Sequence, residues 1–426
     1  MKILLGRLLA TRGIKRATVS RWLDMGFWAI VDQGLFAISN FGLNVLLARW
    51  LAPADYGAFA VAYSLLLLLG TFHTALITEP MLVFGPGKYK NRFTGYLKVL
   101  LWGHWSFTAL MATLFAFAGL VVWLFGSPLT TVIFALAITC PFILFPWLMR
   151  RACYVNLQPQ LAAHAGALYM ALMFAGTYGF YHFSWLGPAT ALGVIALAGL
   201  LSGLWLRFRL NDDKASQGMR NLVAETQAHH WQYARWMIGA GVLGWIPGNI
   251  YYLLLAPVLG LEASGALRAL SNLVLPVTHI TGALATLLLP RLVRFRSDYQ
   301  QFVKLFALTL LALTTITLSY WLFLMFGGPS LMGAVYGEQY ADYAHLLLIA
   351  GLVPVLSAIV AVLSSAVKSF EAPRFVFLSH LGAAITTITI GLLAVVTFGV
   401  AGALIGNLIS LCIVVTMLGF FLRQLL

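Results

Sequence analysis

Charged side chains are scarce in this sequence, and acidic ones are the scarcest. Only 9% of the 426 residues are charged, with 26 Lys and Arg against 12 Asp and Glu. A soluble globular domain carries about 25% charged residues. Because 61% of the residues are hydrophobic and the mean hydropathy is +0.92, no water-soluble domain could bury this apolar surface. The composition excludes a soluble enzyme or a disordered chain, and it predicts a protein that is solvated mostly by lipid.

Signals for cofactors and disulfides are also missing. The cysteines, Cys140, Cys153 and Cys412, are odd in number and two lie in apolar runs, which argues against a disulfide scaffold. The one Gly-Lys pair, Gly87-Lys88, has no upstream glycine at P-loop spacing, and Cys and His form no metal-binding pattern. We therefore predict no cofactor, no metal and no ATP hydrolysis, and we expect a gradient-driven transporter rather than an enzyme.

Long apolar runs fill most of the chain. A membrane-crossing helix needs about 20 mainly apolar residues, and twelve runs meet this requirement. They predict an all-α polytopic membrane protein. The predicted spans are 26–50, 57–79, 96–124, 127–148, 161–184, 188–208, 232–256, 263–290, 302–327, 343–367, 374–395 and 399–422.

Two polar segments flank the predicted bundles. Residues 1–25 are basic and amphipathic, and we expect them to lie on the anionic cytoplasmic leaflet or to act as a tail that only sets the topology. Residues 209–231 form a polar linker. It separates a first six-helix bundle, 26–208, from a second, 232–426.

A repeated pattern relates the two bundles. Several positions around the first two spans recur in the second half at a constant offset of 208. The matches pair Leu46-Leu47-Ala48, Leu51 and Gly57-Ala58 with Leu254-Leu255-Ala256, Leu259 and Gly265-Ala266. With six spans in each bundle the repeat is parallel, about an axis along the membrane normal. Secondary transporters with this architecture hold their substrate between the repeats.

The distribution of basic residues predicts the orientation. All Lys and Arg residues except Arg49 and Arg268 fall on one side of the twelve spans, together with both termini. Cytoplasmic loops carry such an excess, so both termini are predicted to be cytoplasmic. The net charge of +14 follows from this topology, and no nucleic-acid partner is predicted.

The first span carries a polar face. At 100° per residue, its polar side chains fall within an arc of about 140°. They are Asp32, Gln33, Ser39, Asn40 and Asn44. Ionisable groups inside a membrane are costly and usually mark substrate or ion paths. We expect this face to line a cavity, with hydrogen bonding between helices as the alternative.

The eighth span carries a narrower stripe. Arg268, Asn272 and His279 fall within about 40° of one another. The guanidinium fork suits phosphate oxygens, so we expect this stripe to face the cavity and attract an anionic headgroup. Because Arg268 is close to the end of its span, snorkelling to the membrane surface is the alternative.

Two histidines in neighbouring spans are candidates for ion coupling. His73 and His104 lie at a depth similar to that of Asp32, and histidine titrates near neutral pH. Together they could exchange protons, or each could be a packed histidine. Glu79, beside Pro80, is expected at the membrane interface, with a possible role in gating or coupling.

The seventh span is predicted to bend. Gly244, Pro247 and Gly248 lie in its middle, and proline with glycine kinks a helix. Interrupted helices border transporter sites or act as hinges. The alternative is close packing against small residues.

Three segments resemble the hairpins of a known family. Residues 46–63, LLARWLAPADYGAFAVAY, resemble the first hairpin of bacterial polysaccharide transporters in the multidrug/oligosaccharidyl-lipid/polysaccharide exporter superfamily. LGLEASGALRAL, from Leu259, and VYGEQYADYAHLLLIAG, from Val335 to Gly351, are similar to its later hairpins. On these motifs the chain is identified as a member of the lipid-linked oligosaccharide flippase family.

The resemblance implies a flippase of the bacterial cytoplasmic (inner) membrane. Its cargo would be an oligosaccharide on undecaprenyl diphosphate, such as an O-antigen, capsule or exopolysaccharide repeat unit. It implies alternating access of two bundles, coupling to H⁺ or Na⁺, and membrane lipids and polysaccharide assembly proteins as partners. Family cavities are often cationic, and Arg268 fits that role, but one clear arginine leaves a neutral glycan open. The peptidoglycan-precursor branch usually has fourteen spans, so twelve argues against it.

Other functions stay open. A drug or organic-cation antiporter of the same superfamily would use an acidic cavity, for which Asp32 and Glu79 are candidates. A membrane polysaccharide polymerase or ligase is the enzymatic alternative. The short outward loops with almost no basic residues disfavour it. A non-transporting scaffold would not need the two polar stripes.

Overall fold

The computed structural model describes residues 16–210, 219–286 and 288–426. Within these ranges the chain is helical, without β-strands. π-Helical turns join α2 to α3 (Thr74–Thr78) and α14 to α15 (Thr387–Gly391). The helices are α1 Arg16–Trp50, α2 Pro53–His73, α3 Glu79–Phe84, α4 Phe93–Leu124, α5 Thr130–Val155, α6 Pro159–His182, α7 Pro188–Arg209, α8 Met219–Leu259, α9 Leu261–Thr286, α10 Leu288–Arg294, α11 Tyr299–Tyr336, α12 Leu347–Ala350, α13 Leu352–Ser369, α14 Pro373–Thr386 and α15 Leu392–Leu425.

These helices supply twelve membrane crossings. Among the described residues, eight stretches are long and apolar enough to cross a membrane, and the last two span 71 and 53 residues. Each of these two turns back at a glycine with positive φ, Gly337 (φ 74°) and Gly399 (φ 59°), and so crosses twice. The helices α6 and α9, of 24 and 26 residues, complete the set. The predicted all-α polytopic fold is confirmed.

Three predicted boundaries differ from the helices. Residues 16–25 are already part of α1, and 219–231 of the linker are already part of α8, whereas 1–15 and 211–218 lie outside the described residues. The loop between the predicted spans 302–327 and 343–367 starts later than predicted, because α11 continues to Tyr336. The side chains of Met332 and Tyr336 are buried, and this packing outweighs the Gly-Gly-Pro sequence before them.

The two repeats meet at equivalent glycines. A Cβ atom on Gly57 would collide with the carbonyl oxygen of Leu261, and one on Gly265 with that of Pro53. Because Leu261 is 208 residues after Pro53, as Gly265 is after Gly57, the contact is reciprocal, as across a two-fold axis. The beginnings of α2 and α9 therefore cross in backbone contact, and only glycine allows this approach.

Core packing is shared at one end of the molecule and divided at the other. The basic end carries the loops around Lys88 and Arg294, and the opposite end carries Asp55 and Glu262. Towards the opposite end, one hydrophobic core contains residues of both halves. At the basic end there are two cores, one from the first half and the start of α8, the other from the second half. The halves thus converge at the opposite end.

Candidate functional site

Arg268 lies between the two halves, on α9. Its side chain is 5% exposed, and its Nε donates to Oδ1 of Asn44 on α1 at 3.0 Å. The guanidinium lies 4.6 Å from the ring centre of Tyr63 on α2 and 5.8 Å from that of Tyr252 on α8. It forms no ion pair with any described carboxylate. A buried charge without a counterion is thus held by a hydrogen bond and aromatic rings.

The asparagines of α1 connect Arg268 to the first half. Tyr56 donates to Oδ1 of Asn44 at 3.3 Å, and Tyr63 donates to Oδ1 of Asn40 at 3.2 Å. The amide nitrogens of Asn40 and Asn44 donate to backbone carbonyls one turn earlier. The predicted cavity residues Asn40, Asn44 and Arg268 therefore form one network.

Asn272 lies one turn from Arg268, in the direction of the basic end. Its Nδ2 donates to the hydroxyl of Tyr336 at 3.4 Å, and that hydroxyl donates to the carbonyl of Ala269. Its Oδ1 and the hydroxyl of Tyr340 are buried without a hydrogen-bond partner in the described part of the chain. The side chain of His279 lies outside the described residues.

Asp32 belongs to a different cluster. It is fully buried, and Arg150 on α5 donates to both carboxylate oxygens, from Nε at 3.0 Å and Nη2 at 2.8 Å. Tyr154, one turn further on the same face, donates to Oδ2 at 2.6 Å. Asn44 is twelve residues along α1, about 18 Å away. Asp32 is thus neutralised within the first half and lies apart from Arg268.

Arg150 was missed because it reads as a cytoplasmic loop charge. It lies instead in the last two turns of α5, and only 12% of its side chain is exposed. Its guanidinium stacks 4.3 Å from the ring centre of Phe36. A usable signal was the buried Asp32 itself, since a carboxylate at this depth needs a cation from a neighbouring helix.

The two predicted coupling histidines do lie together. Nε2 of His73 and Nδ1 of His104 are 3.0 Å apart, and both side chains are fully buried. Their outer nitrogens, Nδ1 of His73 and Nε2 of His104, have no hydrogen-bond partner among the described residues. In the neutral pair one ring donates to the other. No described hydrogen bond joins this pair to Asp32, so the four predicted coupling groups form three separate clusters.

Glu79 belongs to a contact between the first half and the start of α8, at the basic end. Tyr233 of α8 donates to its Oε1 at 3.3 Å. Nearby, His230 of α8 bonds the Tyr96 hydroxyl through Nε2 (2.6 Å) and the Leu76 carbonyl through Nδ1 (2.8 Å). Burial lowers the pKa of His230. Because a carbonyl only accepts, Nδ1 carries the proton.

Further contacts extend this cluster. His229 bonds the Tyr89 hydroxyl through Nδ1 at 2.8 Å and contacts Nζ of Lys88, and Arg92 pairs with Glu225 at 2.6 Å. The start of α8 is therefore fixed to the loop between α3 and α4. The tandem histidines in the linker were the overlooked signal.

The helix α8 contacts both halves around its predicted hinge. Trp245, inside the hinge, donates to the carbonyl of Ser64 in the first half at 3.0 Å, and the hydroxyl of Ser64 donates to the carbonyl of Asn249, just past the hinge, at 3.4 Å. Tyr251, two residues further on, packs against Gly391 and Gly406 of the second half. A Cβ atom on either hinge glycine would contact nothing within 4 Å, and Pro247 is buried between them. Close helix packing therefore does not account for Gly244 and Gly248.

A separate cleft lies between α4 and α5. Its walls are mostly apolar and include Trp105, Ala112, Ile138 and Phe142. None of the predicted site residues lines it. It has the character of a lipid-facing groove rather than of a site for a charged headgroup.

Comparison with known families and structures gives one match by sequence and several by fold. A family model described as "Polysaccharide biosynthesis protein" matches residues 46–345. No curated protein sequence matches the chain. The fold is similar to that of the lipid II flippase MurJ in an inward closed conformation, with a TM-score of 0.74 and 12% identity over 93% of this chain and 87% of that one.

Two structures of multidrug resistance MATE family transporters of the MOP superfamily are also similar. The inward-facing one has a TM-score of 0.72 and 11% identity, over 93% of this chain and 98% of that one. The outward-facing one has a TM-score of 0.50 and 13% identity, over 98% of both chains. At these identities the likeness shows a common fold.

Proposed function

Because the chain belongs to the polysaccharide biosynthesis protein family, we propose that it is a flippase. This match confirms the predicted family resemblance. The proposed activity is translocation of an undecaprenyl-diphosphate-linked oligosaccharide, an O-antigen, capsule or exopolysaccharide repeat unit, across the bacterial cytoplasmic membrane. The proposed activity is therefore transport rather than enzymatic catalysis.

The observation that carries the proposal is Arg268. It is a buried cation at the junction of the halves, with no described carboxylate partner. Such a residue in a membrane marks a substrate path. The Arg268 guanidinium can bind two phosphate oxygens. The Oδ1 of Asn272 and the hydroxyl of Tyr340, which have no described hydrogen-bond partner, can bind sugar hydroxyls or water. An anionic lipid headgroup meets these requirements.

The packing supports an inward-facing arrangement. The halves share a core at one end and have separate cores at the basic end, and basic loops are cytoplasmic. The higher TM-score with the inward-facing transporter than with the outward-facing one, 0.72 against 0.50, agrees. We propose that both termini are cytoplasmic and that cargo enters from that side.

Alternating access requires one half to move against the other. We propose that α8 bends at Gly244, Pro247 and Gly248, because its first part is fixed to the first half and its last part packs on the second. The coupling ion, H⁺ or Na⁺, would act at His73 and His104, whose paired rings can share a proton, or at Asp32 or Glu79. Membrane lipids and other polysaccharide assembly proteins are the expected partners.

The likeness to MATE transporters keeps a drug or organic-cation antiporter as the second candidate. An organic cation would need a free acidic group in the cavity. Asp32 is neutralised by Arg150, which disfavours this function. A polymerase or ligase finds no support in the clusters described above.

The test is a leaflet assay in proteoliposomes. A fluorescent carrier-linked oligosaccharide is placed in the membrane, and its arrival in the other leaflet is followed by quenching from outside. Arg268→Gln is expected to slow translocation about 10- to 100-fold, since a charge-assisted hydrogen bond contributes about 1.5–3 kcal/mol. Arg268→Lys should be intermediate, because it keeps the charge and loses the fork.

Arg49→Gln is the matched control. Arg49 also lies near the opposite end, but it is exposed, and its one described side-chain hydrogen bond, at 3.4 Å, goes to the carbonyl of Ala334. Its rate should equal that of the native chain. If the native chain moves no carrier-linked glycan but exports organic cations, the antiporter replaces the flippase.

A further inference from the structure

A second arginine that is largely shielded from solvent, Arg150, pairs with an anionic group of the protein itself, the carboxylate of Asp32. Its Nε and Nη2 bind the two oxygens of Asp32 at 3.0 and 2.8 Å. This two-pronged geometry is the one in which arginine binds a phosphate group. In chemical terms, the Asp32 carboxylate occupies the place of a phosphate.

The pair lies beside an exposed part of α1. On α1, Asn44, Ala37 and Gln33 share one face, at intervals of about 20–40°. Asn44 contacts Arg268 of the second half, whereas Ala37 and Gln33, nearer the basic end, are exposed. This face of α1 therefore contacts the second half near Asn44 and is uncovered nearer the basic end, where the two halves separate.

The exposed side chain of Gln33 contacts the ion pair. Nε2 of Gln33 lies 3.5 Å from Oδ2 of Asp32 and 3.4 Å from the hydroxyl of Tyr154. Arg150 itself is 12% exposed. A headgroup that entered between the halves could reach the guanidinium by displacing a flexible amide.

We propose that Arg150 is a second, masked binding site for the diphosphate of the lipid carrier, occupied by Asp32 until the cargo displaces it. The inference rests on the proposed function and deepens it. The diphosphate would meet Arg150 near the basic end and Arg268 about 18 Å deeper. Two arginines at different depths would thus give the headgroup two successive binding sites along one path.

Displacement has a consequence for protons. The groups that face Asp32 are Arg150, Tyr154 and Cys153 from α5 and Gly166 from α6, with Gln33 on its own helix. Arg150 is the sole described cation among them. A buried carboxylate deprived of its cation is strongly disfavoured, so Asp32 takes one proton from water as the phosphate binds.

Cargo and proton thus bind together on this site. Binding and protonation are linked, and each favours the other. Because cargo binding and proton uptake favour each other, Asp32 takes part in cargo recognition. An ion that drives export by exchange would act elsewhere, with His73 and His104 as the remaining buried pair.

The test is calorimetric titration of the purified full chain in detergent with farnesyl diphosphate. Titration in two buffers of different ionisation enthalpy, near pH 7.5, counts the protons taken up on binding. The native chain should take up close to one. Asp32→Asn should take up none and bind about 10-fold more tightly, because its competitor is neutral.

The double variant Asp32→Asn/Arg150→Gln isolates the arginine. It keeps a neutral hydrogen-bonding pair, and it should bind at least about 10-fold more weakly than Asp32→Asn alone. Arg151→Gln is the matched control, since Arg151 is the next residue and exposed; its binding should equal that of the native chain. Titration with inorganic pyrophosphate distinguishes the source of the diphosphate, and it should bind more weakly than the lipid form.

The outcomes separate this inference from the proposed function. Equal affinities of Asp32→Asn and the double variant, or no proton uptake by the native chain, would overturn the role of Arg150. If Arg268→Gln still lost binding, the flippase would stand without it. Equal binding of pyrophosphate and farnesyl diphosphate would overturn the assignment to a lipid carrier. No binding of farnesyl diphosphate by the native chain would overturn both.

Discussion

Two arginines that are largely shielded from solvent are stabilised in opposite ways. Arg150 pairs with the carboxylate of Asp32 inside the first half, and Arg268 lies between the halves with an asparagine and two tyrosines. The first has a counterion within the protein. The second lacks one in the described structure. The difference suggests that the presence of a carboxylate partner, more than depth in the membrane, decides which arginine can bind an anionic ligand directly.

Energetics favour this distinction. An arginine in a bilayer is costly whether or not it has a partner, and the cost is reduced when the charge is neutralised. Around Arg268, cation–π contacts contribute roughly 0.5–2 kcal/mol each, which stabilises the cation without cancelling its charge. A phosphate that binds there replaces no carboxylate, whereas at Arg150 it must displace Asp32.

The largest expected loss of stability comes from breaking the ion pair between Asp32 and Arg150. Arg150→Ala leaves Asp32 buried without a cation, and removal of one partner of a buried pair costs about 3–5 kcal/mol. Unfolding in mixed micelles with SDS, followed by circular dichroism, measures this loss. Arg268→Ala should cost less, because no charge of opposite sign is left behind.

The double variant Asp32→Asn/Arg150→Ala tests the origin of that loss. If the penalty comes from the orphaned carboxylate, the double variant should recover most of the stability. A double variant as unstable as Arg150→Ala would mean that the guanidinium is needed for packing on Phe36 rather than for charge, and the comparison would fail.

A smaller effect is expected where the halves close beside Arg268. In Gly57→Ala or Gly265→Ala the new methyl group collides with a backbone carbonyl, which cannot rotate away, so each should lose about 1–3 kcal/mol. The two losses should be similar because the contact is reciprocal. Gly103→Ala, where a Cβ meets nothing within 4 Å, is the control and should be neutral or slightly stabilising. Unequal losses at Gly57 and Gly265 would argue against a two-fold relation.

Sequence reasoning recovered the architecture better than the site. Hydropathy and the distribution of basic residues predict twelve crossings, and an offset of 208 predicts that Gly57 and Gly265 are equivalent. Periodicity along one helix identifies polar faces, so it predicted Asn44 and Arg268 as cavity residues. It cannot identify the partner on another helix. Asp32 was therefore predicted as a cavity and ion-coupling residue without its partner Arg150.

The missed residues have a common cause. Arg150 was assigned to a loop because a charge at the end of an apolar run reads as a boundary. The tyrosines around Arg268 read as apolar motif positions, although Tyr56 and Tyr63 lie one heptad apart on one helix face. Their role depends on Asn40, Asn44 and the second half, so pairing between distant helices was needed to recognise it.

The contact between the first half and the start of α8, at the basic end, should respond to pH. Burial lowers the pKa of His230, so the folded state holds it neutral while the unfolded state is protonated below about pH 6.5. Stability from this group is therefore present above that pH and is lost as the pH falls. The effect should be on the order of 1 kcal/mol, as for one buried hydrogen-bonded group.

Hydrogen exchange of the amides in residues 222–234, at pH 7.5 and 5.5 with correction for intrinsic rates, measures this response. Acid should increase exchange there. His230→Gln replaces the ring with a neutral amide, and the difference between the two pH values should shrink. Exchange that rises equally in both chains would exclude His230 as the cause.

The smallest effect is expected from an arginine pair in water. Arg92 and Glu225 are 2.6 Å apart, closer than Arg150 and Asp32, but their side chains are 48% and 29% exposed. Exposed pairs contribute about 0.2–1 kcal/mol and are screened by salt. Glu225→Gln should thus cost little at low salt and nothing measurable at 1 M salt, whereas the loss in Arg150→Ala should persist at both. If the two losses responded equally to salt, the Asp32–Arg150 pair would be open to solvent ions. The contrast between a neutralised arginine in the membrane and an uncompensated one at Arg268 would then disappear, because ions would supply both with partners.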